Sequence, residues 1–389
     1  MARKPKTNTN IGGYDYYRTR LTVGYDANGK PIVKQFYGKS KTEAEQKKRD
    51  YQLSLESGLN PDLASQTLER AMYTWLWDIE RYSGNKTSTF ERYESIYRNY
   101  IQGTQLGRLI VSDIKKLPIQ KYYNELLENG KSYSQIASVH KLLSKFFRYA
   151  ESEGYVIRNP MKGLKVPSEN EDDIKEDVSS IETLTEDEIN KLINSLGHVK
   201  LRYIVMFALL TGARLGEILA LEKSDISNDI VRINKSVRNV RVYDNKNEYH
   251  YETKVTKPKT DNSNREVPLP KVLVKELSKL DILVKEEKLK LGPAYKDNNL
   301  LFPSATGTYM DAKNVRTSWK RALKAAGIPY IKFHALRHTY ATTLLRKGAS
   351  LLTVSRLLGH SSIKTTEIYA HVLDDTKAKE VELLNTIFN

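Results

Sequence analysis

Cysteine is absent from all 389 residues, which removes disulfide frameworks, thiolate zinc sites, iron–sulfur clusters and thiol nucleophiles together. Long apolar runs are missing too. The longest, Ile204 to Leu210, falls far short of the ~20 residues a spanning helix needs. Met1 to Asn10 carries charge without an apolar core, unlike a secretory leader. No GxxxxGK[ST] loop is present for phosphate cradling, and no HExxH pair for zinc. Acidic side chains are the scarcer charge, 47 against 63 Lys+Arg, for a net charge of +16. No internal repeat or low-complexity tract stands out. These absences point to a soluble, intracellular, cytoplasmic protein of several domains, with no membrane anchor, whose surplus positive charge suits a polyanion.

The surplus is unevenly placed. Residues 1–60 hold 12 basic and 6 acidic side chains, residues 61–165 hold 16 and 11, and residues 183–389 hold 34 and 23. Between them, residues 166–182 hold 1 and 7, with no apolar periodicity, the composition of an acidic linker. The sequence therefore reads as three basic modules, 1–60, 61–165 and 183–389, around one acidic hinge.

Each module carries its own pattern. In the first, Tyr14 to Tyr25 and Pro31 to Tyr37 are rich in β-formers and flank the turn signal Asp26-Ala-Asn-Gly29. Ser40-Lys-Thr-Glu43 is a capping box, which predicts a helix to about Ser57, stopped by Gly58. A small sheet carrying Arg18, Arg20 and Lys34 among tyrosines suits a DNA groove. The second module has helical periods throughout, including Ser134 to Ser152 with Ile136, Val139, Leu143, Phe146 and Phe147 on one face. Lys141, Lys145 and Arg148 on its polar face are candidates for phosphate contact. The third module alternates: helices to about Glu222, strands at Ile230–Val237, Tyr249–Val255 and Glu266–Leu269, then helices near 271–291, 311–326, 334–347, 350–358 and 374–387. The fold class is α+β multidomain: a small sheet plus helix, an all-α module, and a mainly α module with a small antiparallel sheet.

Four patches in the third module carry the chemistry when taken together. They are Thr211-Gly-Ala-Arg-Leu-Gly-Glu217, the polar loop Lys257 to Arg265, His334-Ala-Leu-Arg-His338, and Leu357-Leu-Gly-His-Ser-Ser362 followed by Thr365-Thr-Glu-Ile-Tyr-Ala-His371. Singly each is weak, and with 25 tyrosines a nucleophile cannot be picked by residue type. Their order is informative: Arg, Lys, His-x-x-Arg, Gly-His, then Tyr.

In these residues the chain resembles the tyrosine recombinases, or phage-type integrases, over about 183–375. Residues 1–182 look like the arm-type DNA-binding domain (1–60) and helical core-binding domain (61–165) of integrases from temperate phages and conjugative transposons. The resemblance implies Tyr369 as the nucleophile on a DNA phosphate, leaving a 3′-phosphotyrosyl link. It implies Arg214, Arg337, His334 and His360 around that phosphate, Lys259 (rather than Lys257) as general acid, and Glu217 as a supporting carboxylate. It further implies double-stranded DNA with core and arm attachment sites, a homotetramer and a four-way junction. Neither metal nor ATP is expected, and accessory DNA-bending or directionality proteins fit the same picture. A C-terminal helix, Asp374 to Phe388, would dock on a neighbouring subunit, as in this family, rather than fold back on its own core. Type IB topoisomerases share the chemistry, but the extra N-terminal sheet and compact length favour the recombinase.

The residue types make sense of that chemistry. A free tyrosine, with pKa about 10, is ionised roughly once in a thousand at pH 7, a deficit of about 4 kcal/mol. Two guanidiniums and histidines supply charge, and lysine is a better proton donor than arginine, whose pKa lies above ~12. His338, about 100° around the helix from Arg337, reads as structural. His140, His198, His250 and His371 read as ordinary histidines.

Overall fold

A computed structural model describes residues 8–167, 182–246, 248–256 and 264–369. The chain divides into two compact units, Met1–Ser168 and Glu169–Asn389. The acidic segment 168–181, Lys257, Lys259, His371 and the expected docking helix lie outside the described residues.

The first unit opens with three antiparallel strands, β1 (Thr9–Ile11), β2 (Tyr14–Tyr25) and β3 (Pro31–Gly38), in the order β1-β2-β3. Helix α1 (Lys41–Glu56) begins at Ser40, whose side chain accepts from the Glu43 backbone N–H, while the Glu43 carboxylate accepts from the Lys39 N–H rather than that of Ser40, so half of the expected box forms. One sheet face packs on α1 through Phe36, which stands edge-on to Tyr51 at 5.3 Å. Register decides where the basic residues go. Arg18 pairs with Tyr37 and Arg20 with Gln35, on the face away from Phe36. Lys34 pairs with Leu21 on the α1 face, where its ammonium meets the Asp62 carboxylate and the Tyr51 ring.

Helices α2 (Leu68–Thr74), α3 (Thr87–Tyr100), α4 (Lys116–Glu128) and α5 (Tyr133–Ser152) build the rest of this unit. A π-helical turn, Trp75–Ile79, continues α2. A reciprocal Ser132–Gln135 box starts α5. Its stripe Ile136, Val139, Leu143, Phe146 and Phe147 is fully buried, with Phe146 edge-on to Trp75 at 5.6 Å. Each such side chain contributes about 1.5–3 kcal/mol by leaving water. On the polar face Lys141 and Arg148 are exposed, while Lys145 turns inward to the buried Glu80 carboxylate and over the Tyr93 ring.

The second unit starts with α6 (Glu186–Leu196), capped reciprocally by Thr185 and Glu188, and the apolar α7 (Lys200–Thr211) at the centre of the core. Gly212 ends α7 at φ 64°. That left-handed position favours glycine, and a Cβ here would also strike Tyr340 Cδ1 at 2.5 Å. The short α8 (Leu215–Ile218) follows, then β4 (Ile226–Ser227), β5 (Ile230–Ile233), β6 (Ser236–Tyr243), β7 (Tyr249–Thr256) and β8 (Arg265–Pro268). Strand order β4-β5-β8 makes one antiparallel sheet, and β6-β7 forms a separate hairpin. The strand predicted over 230–237 is thus two. It breaks at Lys235, which turns to Glu222 and Asp225 at 2.6 and 3.0 Å, and β6 runs on to pair with β7. Helices α9 (Lys271–Leu291), α10 (Ala312–Ala325), α11 (Ala335–Arg346) and α12 (Leu351–Leu358) follow, and the described chain ends in the 3-10 turn Glu367–Tyr369. No helix among the described residues is long and apolar enough to cross a membrane.

Candidate active site

The site is assembled where α8, α11, α12 and the final 3-10 turn meet. Arg214 sits just before α8, its backbone N–H bonded to Glu217 Oε2 at 3.0 Å and its Nη1 to Glu217 Oε1 at 2.9 Å. Glu217 is 7% exposed, and its Oε2 also accepts from Arg265 Nη2 at 2.8 Å. Burial opposes ionisation of this carboxyl, but Arg265 and then Arg214 outweigh it and hold the pKa below the usual range. With Glu217 anchoring its fork, Arg214 keeps its outer edge open, 40% exposed, toward a cleft of about 880 Å³. His334, Arg238, Lys313, Arg316 and Lys332 line the same cleft.

Arg337 lies inside α11 and is 2% exposed. Nη1 donates to Gly212 O at 2.8 Å and Nη2 to Leu358 O at 2.7 Å, the terminal carbonyls of α7 and α12. Two of the five donors of a guanidinium are thereby committed. Burial, Arg214 and Arg265 press its pKa down to about 9, which still leaves a cation at neutral pH. His334 precedes α11 with its edge open at the cleft. Desolvation by the cleft walls, with His338, Arg337 and Arg214, lowers its pKa to about 4. His360 follows the Gly359 cap of α12 and binds Thr366 Oγ1 through Nδ1 at 2.7 Å. Burial and the same arginines lower its pKa to about 4 as well.

Tyr369 closes the cluster. It is 1% exposed, packed with Tyr340, Val354 and Leu358, and its backbone N–H bonds Thr366 O at 3.0 Å. Burial raises the phenol pKa, while Arg337 and Arg214 pull it down. The hydroxyl lies 2.6 Å from His338 Nδ1. Sequence reasoning therefore missed His338: its 100° offset from Arg337 aims it at the tyrosine turn, 31 residues away in sequence. Arg265 was missed as well, since nothing but its place after the polar loop marks it. The structure brings Arg214, Glu217, His334, Arg337, His360 and Tyr369 together in one unit. The candidates Arg18, Arg20, Lys34, Lys141, Lys145 and Arg148 belong to the other unit. His140, His198 and His250 sit against Tyr123, Tyr203 and Asp244, away from this cluster. Among the described residues no group of His, Asp or Glu is arranged to hold a metal ion.

Residues 182–376 match the model of the phage integrase family. A "tyrosine recombinase XerC-like" protein of Caldanaerobacter subterraneus subsp. tengcongensis is 42% identical over 391 residues, covering 98% of this chain and 99% of that protein. The ICEBs1 integrase of Bacillus subtilis is 26% identical over 71% of this chain and 73% of its own. In fold, the chain is similar to the Tn1549 transposon integrase in complex with transposon right end DNA, at TM-score 0.63 and 20% identity, covering 82% of this chain and all of that one. It is also similar to a lambda integrase tetramer bound to a Holliday junction, at TM-score 0.56 and 20% identity, over 91% and 92% of the two chains.

Proposed function

Since the chain belongs to the phage integrase family and is a site-specific tyrosine recombinase, we propose that it integrates and excises a mobile element through a 3′-phosphotyrosyl intermediate at Tyr369. The observation that carries this is the convergence of Arg214, open to the cleft, and the buried Arg337 on Tyr369. The guanidiniums meet the non-bridging oxygens of the scissile phosphate, where charge grows as phosphorus becomes pentavalent. Glu217 holds Arg214 in place. His334 and His360, neutral at pH 7 on their lowered pKa values, serve as hydrogen-bonding groups rather than fixed charges. Lys259 gives its proton to the departing 5′-oxygen. The phosphotyrosyl bond conserves the energy of the broken one, so rejoining requires neither ATP nor metal. The chain acts as a tetramer on two duplexes, passing through a four-way junction, with residues 1–60 on arm sites and 61–165 with 183–389 on the core site. Accessory DNA-bending or directionality proteins set the direction, and the work is done in the bacterial cytoplasm on the nucleoid.

A duplex nicked just 3′ of the cleavage position loses its short 5′-hydroxyl fragment and traps the covalent adduct. The wild-type chain forms the adduct, Tyr369→Phe binds the duplex without forming it, and peptide mapping finds the link on Tyr369. An adduct on another tyrosine, or relaxation of supercoils with no need for a core site, would overturn the proposal.

A further inference from the structure

Two histidines, one just before α11 and one in its first turn, lie near the nucleophile, and only the second touches it. His334 faces the cleft beside Arg214. His338, one turn later, stands edge-on to His334 at 5.0 Å and holds the Tyr369 hydroxyl at 2.6 Å through Nδ1. We propose that His338 is a further catalytic residue, the proton acceptor for Tyr369. This rests on the reading of Tyr369 as nucleophile.

In the cleavage step Tyr369 Oη forms a bond to phosphorus, the phosphorus–O5′ bond breaks, the phenolic proton passes to His338 Nδ1, and O5′ takes a proton from Lys259. Rejoining reverses each transfer, with His338 returning its proton to the tyrosine oxygen.

Several features suit His338 to that role. A phenol buried to 1% exposure has no solvent to receive its proton, so the acceptor must be a neighbouring group. At 2.6 Å the imidazole is in hydrogen-bond contact before any substrate arrives. The groups acting on it are His334 just before its helix, Arg337 on that helix, Tyr369 from the final turn, and Glu182 from the segment before α6. Burial and Arg337 favour the neutral imidazole, which leaves Nδ1 a lone pair to accept with. His360 instead bonds Thr366 through Nδ1, and among the described residues it makes no hydrogen bond to Tyr369.

The test is single-turnover cleavage of the nicked duplex between pH 5.5 and 10, comparing wild type with His338→Ala and His338→Gln. A proton acceptor is worth about 10²–10⁴-fold, so the variants should lag by that factor at pH 7 and recover as hydroxide ionises the phenol. A lag that is absent or equal at every pH would assign His338 a packing role and overturn the inference. A second measurement leaves α11 intact: fluorotyrosine at position 369 in an otherwise wild-type chain lowers the phenol pKa. If His338 takes the proton, the midpoint of the pH–rate profile stays with the imidazole. A midpoint that follows the phenol would overturn the inference too. Absence of any adduct from the wild-type chain would instead refute the reading of Tyr369 beneath it.

Discussion

Arg265 donates from Nη2 to Glu217 Oε2 at 2.8 Å, with both side chains buried. Its Nε reaches Leu357 O at 2.8 Å, next to the Leu358 carbonyl held by Arg337. One buried carboxylate thus neutralises Arg265, steadies Arg214, and links β8 to α8. Glu217→Ala leaves the guanidiniums of Arg214 and Arg265 facing each other without a counter-charge, at a cost of about 3–5 kcal/mol in the stability of the second unit. Urea melts of the full-length chain measure it. Arg265→Met should cost a comparable amount, and the double variant less than the sum, because the pair shares one interaction.

Arg337 does two jobs that lysine cannot combine. Its fork ties the ends of α7 and α12 at Gly212 O and Leu358 O, while its other donors are left for phosphate. An ammonium can satisfy one carbonyl but lacks the planar spread to reach both and an anion. Arg337→Lys is therefore expected to slow single-turnover cleavage by about 10²–10³-fold, the typical loss for one transition-state donor. It should also lower the melting temperature. Cleavage within threefold of wild type would show that the fork is dispensable.

Much of this was legible in the sequence for local reasons. The helix start at Ser40 and the apolar stripe of α5 are short-range signals that tertiary packing reinforces. The order of the motifs picked out Arg214, Glu217, His334, Arg337, His360 and Tyr369, which the fold gathers into one cluster, because order along the chain is readable where spacing in space is not. The β6–β7 hairpin was half legible: β7 is the strand expected at Tyr249–Val255, whereas the run of β6 past Val237 to Tyr243 was missed, because its buried side chains, Val237 and Val240, are three apart and break the period of two. Arg265 and His338 were illegible for another reason. Their partners, Glu217 and Tyr369, are brought to them by chain reversals, and no periodicity encodes that. Charge counting likewise found Lys34 and Lys145 but could not see the acids waiting for them.

The lowered histidines give stability and DNA binding opposite pH dependences. His334 and His360 titrate near pH 4 in the folded chain but near ~6.5 when unfolded. Between those values the unfolded state binds more protons, so stability is complete above pH ~6.5 and falls as the pH drops toward 4. A bound phosphate anion raises both pKa values again. The complex should therefore take up protons, and affinity should strengthen from pH 7 to pH 5 while the free protein loses stability. Calorimetric titrations in buffers of different ionisation enthalpy measure the uptake. Zero uptake at pH 5.5 would mean that neither histidine meets the phosphate.

Four basic residues of the first unit divide by their partners into two pairs with different expected behaviour. Lys34 and Lys145 are held by Asp62 and Glu80, so each already neutralises an internal acid. Glu80 is 3% exposed, and removing its cation strands a buried carboxylate. Lys145→Met should therefore lower the melting temperature of this unit and change the salt dependence of DNA binding little. Lys141 and Arg148 are exposed on the same helix, with no acid paired to them among the described residues. If they meet phosphates, replacing either with Ala should leave the melting temperature unchanged. It should also flatten the plot of log affinity against log salt by about 0.9 for each phosphate left without its cation. Measuring binding at four salt concentrations separates the cases. A reduced slope for Lys145→Met would show that Lys145 leaves Glu80 to bind DNA.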